Sequence, residues 1–378
     1  MTDYAELALL PEGLHDDLPP FAGHEARSIE NLVSQFESHG YERVKPPLIE
    51  FEESLLSGPG AGVARHMFRL MDPISQRMMG LRADMTIQVA RIAATRLRQA
   101  PRPLRLCYAG QVLRVRGSQL RPERQYAQAG VELIGADGVA GDGELVLLVA
   151  ESLSALGVQG LSVDLTVPTL VPLISQSFGL DETLAETARQ ALDARDGAAI
   201  DTLPDDVRGL LAELLGAAGA AGDALQTLAN LDLPSKAREL YDHLAALVTF
   251  LDGRNGDLNL TIDPGESRGF EYQTGVSFSL FADGVRGELG RGGRYSLEGG
   301  ESAIGFTIYL DSLMRAVPEA SLPRRLYLPF GTPANQARKF RVDGWITIQG
   351  LDQTVEPEAE ARTLSCEHIL RGDGPKKL

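Results

Sequence analysis

Cys107 and Cys366 are the only two cysteines in 378 residues, too few for a disulfide framework or a cysteine-built metal cage. Reduced thiols in a cytosolic protein are the expectation. His15, His24, His39, His66, His243 and His368 show no metal-ligand spacing and are expected at the surface, so neither a metal nor a cofactor is expected. Ser118 and the other serines lack a histidine partner that would make them nucleophiles. Long hydrophobic runs are missing too. The densest, Leu145 to Ala150, is far too short to span a bilayer, and the acidic start Met1 to Glu6 does not read as a signal peptide. A soluble, cytoplasmic chain with no membrane contact is the expectation. Positive charge is in deficit, with 36 Lys and Arg against 52 Asp and Glu, a net charge of −16. That argues against a general polyanion binder.

What is present fits an ordinary globular chain, 43% hydrophobic and long enough for one large domain or two to three smaller ones. Ile29, Leu32, Val33 and Phe36 recur at helical spacing, predicting an amphipathic helix over 21–39 that Gly40 terminates. Tyr41 to Val44 is expected to be extended, Pro46-Pro47 to turn or run along an edge, and 57–66 to form a loop. A helix follows in the later part of 82–100. Leu104, Leu106 and Tyr108 alternate as in a strand, a second strand is expected from Arg124 to Ile134, and Leu145, Leu148, Val149 and Leu153 mark a helix. Residues 181–255, rich in Ala and Leu, read as a helical insertion.

Period two then returns. Leu258, Leu260 and Ile262 form a short strand. A longer one places Phe270, Tyr272, Thr274, Val276, Phe278 and Leu280 on one side, with Glu271, Gln273, Ser277 and Ser279 on the other. Gly287 to Gly293 reads as a bend, with Gly290-Arg291-Gly292-Gly293 a turn rather than a phosphate loop. Ile304 to Ala316 reads as a helix, and Pro318 to Pro323 as a linker. The order of elements predicts an α+β fold, an antiparallel sheet flanked by helices, with a core over 1–320 and a small C-terminal α/β region over 321–378.

The strongest local anomaly is basic: nine arginines between Arg91 and Arg124 against one acid, Glu123. Most read as a solvated or partner-facing surface, but Arg114 and Arg124 fall on expected strands. Arg124, Gln128 and Glu132 are spaced by four and share a face. Buried polar residues need partners, so that face is either an internal polar network or a ligand cleft. Asp84, Gln128 and Glu132, with Arg268 at the start of the long strand, supply what an amino-acid ligand requires: acids for its ammonium, and a cation or amide for its carboxylate.

The segments also fall into a recognisable order. Tyr41 to Glu50 resembles motif 1 of class II aminoacyl-tRNA synthetases. Leu81-Arg82-Ala83-Asp84-Met85-Thr86 resembles the Leu-Arg-Pro-Glu-Gly-Thr stretch of histidyl-tRNA synthetases, Gly110 to Gly135 their motif 2, and Arg268 to Gly275 their histidine signature. Gly292 to Tyr295 and Ala303 to Phe306 resemble the approach to motif 3. The resemblance covers about the first 320 residues. It implies a histidine-binding set of Asp84, Thr86, Arg114, Gln128, Glu132, Arg268, Tyr272 and Gln273, with Glu132 on the imidazole and Arg114 matching the arginine that holds the α-phosphate.

The departures shape the expected function. Ser312 stands where the family has its γ-phosphate arginine, Arg116 reverses a glutamate, and Gln273 replaces a tyrosine. One lost transition-state donor costs on the order of 3 kcal/mol. The tail is also too short for an anticodon-binding domain. A synthetase-like core with eroded ATP contacts resembles the regulatory-subunit family of ATP phosphoribosyltransferase. That resemblance implies a non-catalytic subunit that activates a short-form catalytic subunit in histidine biosynthesis, with L-histidine as feedback effector and a homodimer inside a hetero-oligomer. The competing expectation is a residual histidyl-tRNA synthetase-type ligase forming an aminoacyl-adenylate; a third is an RNA-binding synthetase paralogue acting through the Arg91 to Arg124 segment, although tRNA is not the expected partner, since nothing in the tail suggests RNA reading.

Overall fold

The computed structural model describes residues 9–56, 65–255, 258–267, 272–297, 299–319, 324–353 and 355–378. Most of the loop expected over 57–66, together with Arg268, Phe270 and Glu271, lies outside these residues. The chain divides into Met1–Pro318 and Glu319–Leu378.

In the first unit α1 (Phe21–Ser38) precedes β1 (Glu42–Arg43), β2 (Ile49–Phe51), the single turn α2 (Glu52–Leu55), β3 (Arg69–Met71) and β4 (Met78–Leu81). Next come α3 (Thr86–Thr95), β5 (Leu104–Leu113), β6 (Gln125–Ile134), α4 (Val139–Ala155), β7 (Ser162–Thr166) and α5 (Leu170–Ser177). The insertion follows as α6 (Glu182–Asp193), α7 (Gly197–Ile200), α8 (Asp205–Gly216), β8 (Gly219–Ala220), α9 (Ala221–Ala229) and α10 (Ser235–Asp252). β9 (Asn259–Ile262), β10 (Gln273–Phe281), β11 (Gly290–Ser296), β12 (Ser302–Tyr309) and the turn α11 (Leu310–Leu313) complete the unit.

The large sheet runs β1-β5-β6-β12-β11-β10-β7-β9-β8. It is antiparallel from β5 through β7, with parallel pairs at β1/β5 and β7/β9. Helices cover it, giving an α+β architecture. Strand β6 shows why two cores form. Ala127, Ala129, Val131 and Leu133 point into the larger core, where Leu32, Val33 and Phe36 of α1 and Leu145, Leu148 and Val149 of α4 meet them. Tyr126 and Ile134 point the other way, to Met85, Val89, Tyr108 and Tyr295. Each fully buried aliphatic side chain contributes roughly 1.5–3 kcal/mol. Helix α1 ends where Gly40 adopts a φ of 84°, the left-handed conformation that glycine takes most readily.

Three expectations need correction. Gly290 to Gly293 is not a turn but half of β11, inside the sheet. A Cβ at Gly290 would strike the Thr307 carbonyl, and one at Gly292 the Phe278 ring. Glycine is therefore present because neighbours come close, not because the chain reverses. Ile304 to Ala316 is β12 followed by one helical turn. Both faces of β12 are covered, so its apolar residues run on without alternating. Finally, Tyr272 does not share the face of Phe278 and Leu280. The ladder pairs Gln273 with Tyr295 and Ser277 with Gly293, a slip between β10 and β11, and Tyr272 packs edge-on to Tyr295 at 6.0 Å on the opposite side of the sheet.

The second unit holds β13 (Arg325–Leu328), α12 (Ala334–Val342), β14 (Ile346–Gln349), α13 (Pro357–Thr363), β15 (His368–Arg371) and β16 (Gly374–Lys377). Its sheet, β14-β13-β15-β16, is parallel except for the final hairpin. Leu326, Leu328 and Leu370 pack on one face, and Tyr327, Cys366 and Ile369 on the other. Among the described residues no helix is long and apolar enough to cross a membrane.

Candidate functional site

A cavity of about 40 Å³ opens on the β6–β12–β11–β10 face of the first unit, lined by Asp84, Thr86, Glu132, Tyr272, Gln273, Arg291, Tyr295, Thr307 and Tyr309. Its floor is glycine: Gly292 and Gly293 of β11 and Gly305 of β12. A Cβ at Gly305 would collide with the Glu132 carboxylate, and one at Gly130 would meet the Tyr108 hydroxyl at 2.6 Å. Small residues here are the condition for polar side chains to lie along the sheet.

Strand periodicity puts Gln128 and Glu132 on this face, and both are completely buried. Gln128 Nε2 donates to Asp84 Oδ2 (3.1 Å), and its Oε1 accepts from the Met85 backbone amide (3.2 Å). Asp84 Oδ1 in turn accepts from the Thr86 amide (2.8 Å), in a tight turn that leads into α3. Glu132 accepts from the Tyr295 hydroxyl at 2.8 Å and from Tyr108 at 3.4 Å. The Tyr108 hydroxyl also bonds with Thr86 Oγ1 (3.1 Å) and Thr307 Oγ1 (2.7 Å). Burial pushes the Glu132 carboxyl up to about 8, against the bonds from Tyr295, Thr86 and Tyr108 that favour its charge. Asp84 is also raised by burial, with Gln128 and Thr86 opposing.

One member is unsatisfied. Gln273 Oε1 is buried and, among the described residues, accepts no hydrogen bond, which costs roughly 1–3 kcal/mol unless a ligand fills it. Arg291 lines the cavity but is tied to Glu288 (3.1 Å through Nε). The cavity is therefore rich in acceptors and suits a ligand carrying several N–H donors.

Of the expected site residues, Asp84, Thr86, Glu132, Tyr272 and Gln273 line this cavity, and Gln128 supports it through Asp84. Arg268 lies outside the described residues. Arg114 is not in the cavity wall. It stands one residue past β5, as Arg124 stands one before β6, so neither is on a strand. The Arg114 guanidinium donates to the carbonyls of Glu123 (2.9 Å) and Arg121 (2.6 Å) and so braces its own loop. Tyr108, Tyr295 and Thr307 escape the sequence reading, because their importance comes from residues that face them across strands.

The positions that the sequence resemblance assigns to ATP contacts are engaged within the chain or exposed. Ser312 is fully buried and accepts from Arg315 (3.1 Å), while Arg116 is exposed. Arg121 folds inward, 3.7 Å from the centre of the Tyr309 ring and 4.6 Å from that of Tyr126, and pairs with Asp311 at 3.1 Å. A neighbouring cavity of about 190 Å³ is lined by Asp17, Glu25, Glu123 and Asp311, four carboxylates that oppose a triphosphate. Other arginines of the basic segment also have internal counter-ions: Arg91 with Glu50, Arg102 with Glu301 and Arg105 with Glu144. Among the described residues no cluster of His, Cys, Asp and Glu could hold a metal.

The family model described as histidyl-tRNA synthetase matches residues 13–313. The chain is 54% identical to a Rhodospirillum centenum protein named ATP phosphoribosyltransferase regulatory subunit, over 97% of this chain and 95% of that one. It is 53% identical to a Paramagnetospirillum magneticum protein of the same name, over 99% of each. Among solved structures it resembles a Bacillus halodurans chain described as an ATP phosphoribosyltransferase regulatory subunit/histidyl-tRNA synthetase. The TM-score is 0.83 and the identity 23%, over 94% of this chain and 96% of that one, a likeness of fold.

Proposed function

This chain belongs to the family of ATP phosphoribosyltransferase regulatory subunits, on a histidyl-tRNA synthetase core, and we propose that it is a non-catalytic subunit that activates a short-form catalytic partner and transmits feedback inhibition by histidine. The observation that carries the effector is the acceptor-rich cavity, in which Glu132 and Gln273 Oε1, unpartnered among the described residues, can take N–H donors. In this reading Asp84 would take the ammonium, Glu132 the imidazole and Arg268 the carboxylate. The nucleotide grip is gone by the same reasoning that keeps the amino-acid pocket. Arg114 is spent on its loop, Ser312 offers only a buried hydroxyl, and carboxylates line the adjoining space.

Regulation then requires that histidine prefer one state of the assembly over another, since a ligand shifts an equilibrium only through differential affinity. Coupling of about 1–3 kcal/mol, roughly 5- to 150-fold, is enough for feedback control. The chain would act in the cytoplasm as a homodimer within the hetero-oligomer. Co-purification with the short-form catalytic subunit, followed by activity with and without histidine, tests the whole reading. Glu132→Ala is expected to weaken inhibition while leaving activation largely intact. Unchanged inhibition by histidine in that variant would place the effector elsewhere.

A further inference from the structure

Gln273 is 7% exposed, yet among the described residues its Oε1 has no hydrogen-bond partner. That oxygen lies against the floor of the cavity, where a Cβ at Gly293 would come within 2.9 Å of it. Across the ladder Gly293 pairs directly with Gly305, the position at which a Cβ would collide with Glu132. Directly opposed residues direct their Cβ positions to one face, about 5 Å apart. The amide oxygen and the carboxylate therefore flank one strip of glycine floor and are no more than about 10 Å apart. An imidazole ring donating through both nitrogens spans about 7 Å between its two acceptor oxygens.

We propose that Gln273 is a specificity-determining residue: the pocket binds the imidazole as a doubly protonated imidazolium, one N–H donated to Glu132 and the other to Gln273 Oε1. This rests on the histidine reading of the cavity. A neutral imidazole has one donor and one bare nitrogen, so it satisfies only one of two acceptors. The second proton need not come from solvent. Free histidine is neutral at its ring above about 6.5, whereas the buried Glu132 carboxyl holds its proton up to about 8. Between those values the Glu132 O–H bond breaks, the ring N–H bond forms, and carboxylate and imidazolium are left in contact with no net proton uptake.

The charged and titratable groups around Glu132 are consistent with this. Asp84 precedes α3, Tyr108 faces it from β5, and Tyr295 from β11 donates to it; Arg291 of β11 is engaged with Glu288, and Tyr272 and Tyr309 complete the wall. The bonds to Glu132 come from the neutral hydroxyls of Tyr295, Tyr108 and Thr86, not from a cation, so the ligand supplies the positive charge.

Ring-¹⁵N histidine bound to the full chain at pH 7.5 is expected to show both nitrogens protonated by NMR. Affinity by calorimetry is expected to be flat between about pH 6.5 and 8, falling toward tenfold per pH unit on either side. Gln273→Met, similar in shape but without the acceptor, is expected to weaken binding about 10- to 100-fold. A bound ring with one bare nitrogen overturns the proposal and leaves the pocket reading intact. So does unchanged affinity in Gln273→Met while Glu132→Ala loses it. Failure of the chain to bind histidine, or binding indifferent to both variants, overturns the pocket reading itself.

Discussion

Glutamine in place of Glu132 keeps the side chain's shape and removes its titration. In the unfolded chain this carboxyl ionises near 4.5, and in the folded one near 8, because burial outweighs the hydrogen bonds it accepts. For an acid raised in this way, the stability it contributes is fully present below the unfolded value. It is lost as the pH climbs to the folded value, and the loss is constant above that. At about 1.4 kcal/mol per pH unit, the whole displacement is worth at most about 5 kcal/mol. Glutamine avoids this loss, because its oxygen can still accept from Tyr295 while its NH₂ donates to the Tyr108 oxygen. Urea unfolding of both proteins at pH 5, 7 and 9 reads the effect. The advantage of Glu132→Gln is expected to grow by about 2–3 kcal/mol from pH 5 to 7, and by up to about 4 kcal/mol by pH 9. A difference that does not change with pH refutes the reasoning. The same variant should bind histidine poorly, having exchanged a pocket that is costly when empty for one that is merely stable.

Gly305→Ala places a methyl on the Glu132 carboxylate; a cost of about 1–3 kcal/mol and loss of histidine binding are expected, measured by thermal unfolding and calorimetry. Arg121→Met leaves Asp311, whose side chain is 5% exposed, without its cation, and chemical denaturation should register about 3–5 kcal/mol. Ser312→Arg is not expected to restore ATP–pyrophosphate exchange, because the position is fully buried and the cavity beside it is lined with acids; exchange above background would show that the missing arginine alone silences the site.

The pocket was partly visible in the linear order of residues. Gln128 and Glu132 share a face because strands have a period of two, and β6 keeps an unbroken register with both neighbours, unlike β10, where a slip displaces Tyr272. The glycines of β11 carry the opposite lesson. Local propensity assigns them to a turn, but they are fixed by the Thr307 carbonyl and the Phe278 ring on facing strands, which no window along the chain contains. Residues 304–316 mislead for a related reason. With both faces of β12 covered, apolar residues follow one another and periodicity cannot separate strand from helix, although the β-branched Ile304, Thr307 and Ile308 favour the strand. Tyr108 reads as one more apolar residue in an alternating row. Its hydroxyl matters only once Thr86 and Thr307 are brought to it. Arg114 was legible as an arginine of interest, but the use made of it, holding a loop rather than a phosphate, depends on the path of residues 115–123.

The Tyr108 hydroxyl has a single hydrogen to give and three oxygens within reach, on Thr86, Thr307 and Glu132. An ionised Glu132 draws that hydrogen to itself and leaves Thr307 to point its own at the tyrosine; a neutral one releases it. The circuit can thus run in either sense, and its polarity is felt at the first residue of α3 without any heavy atom having to move.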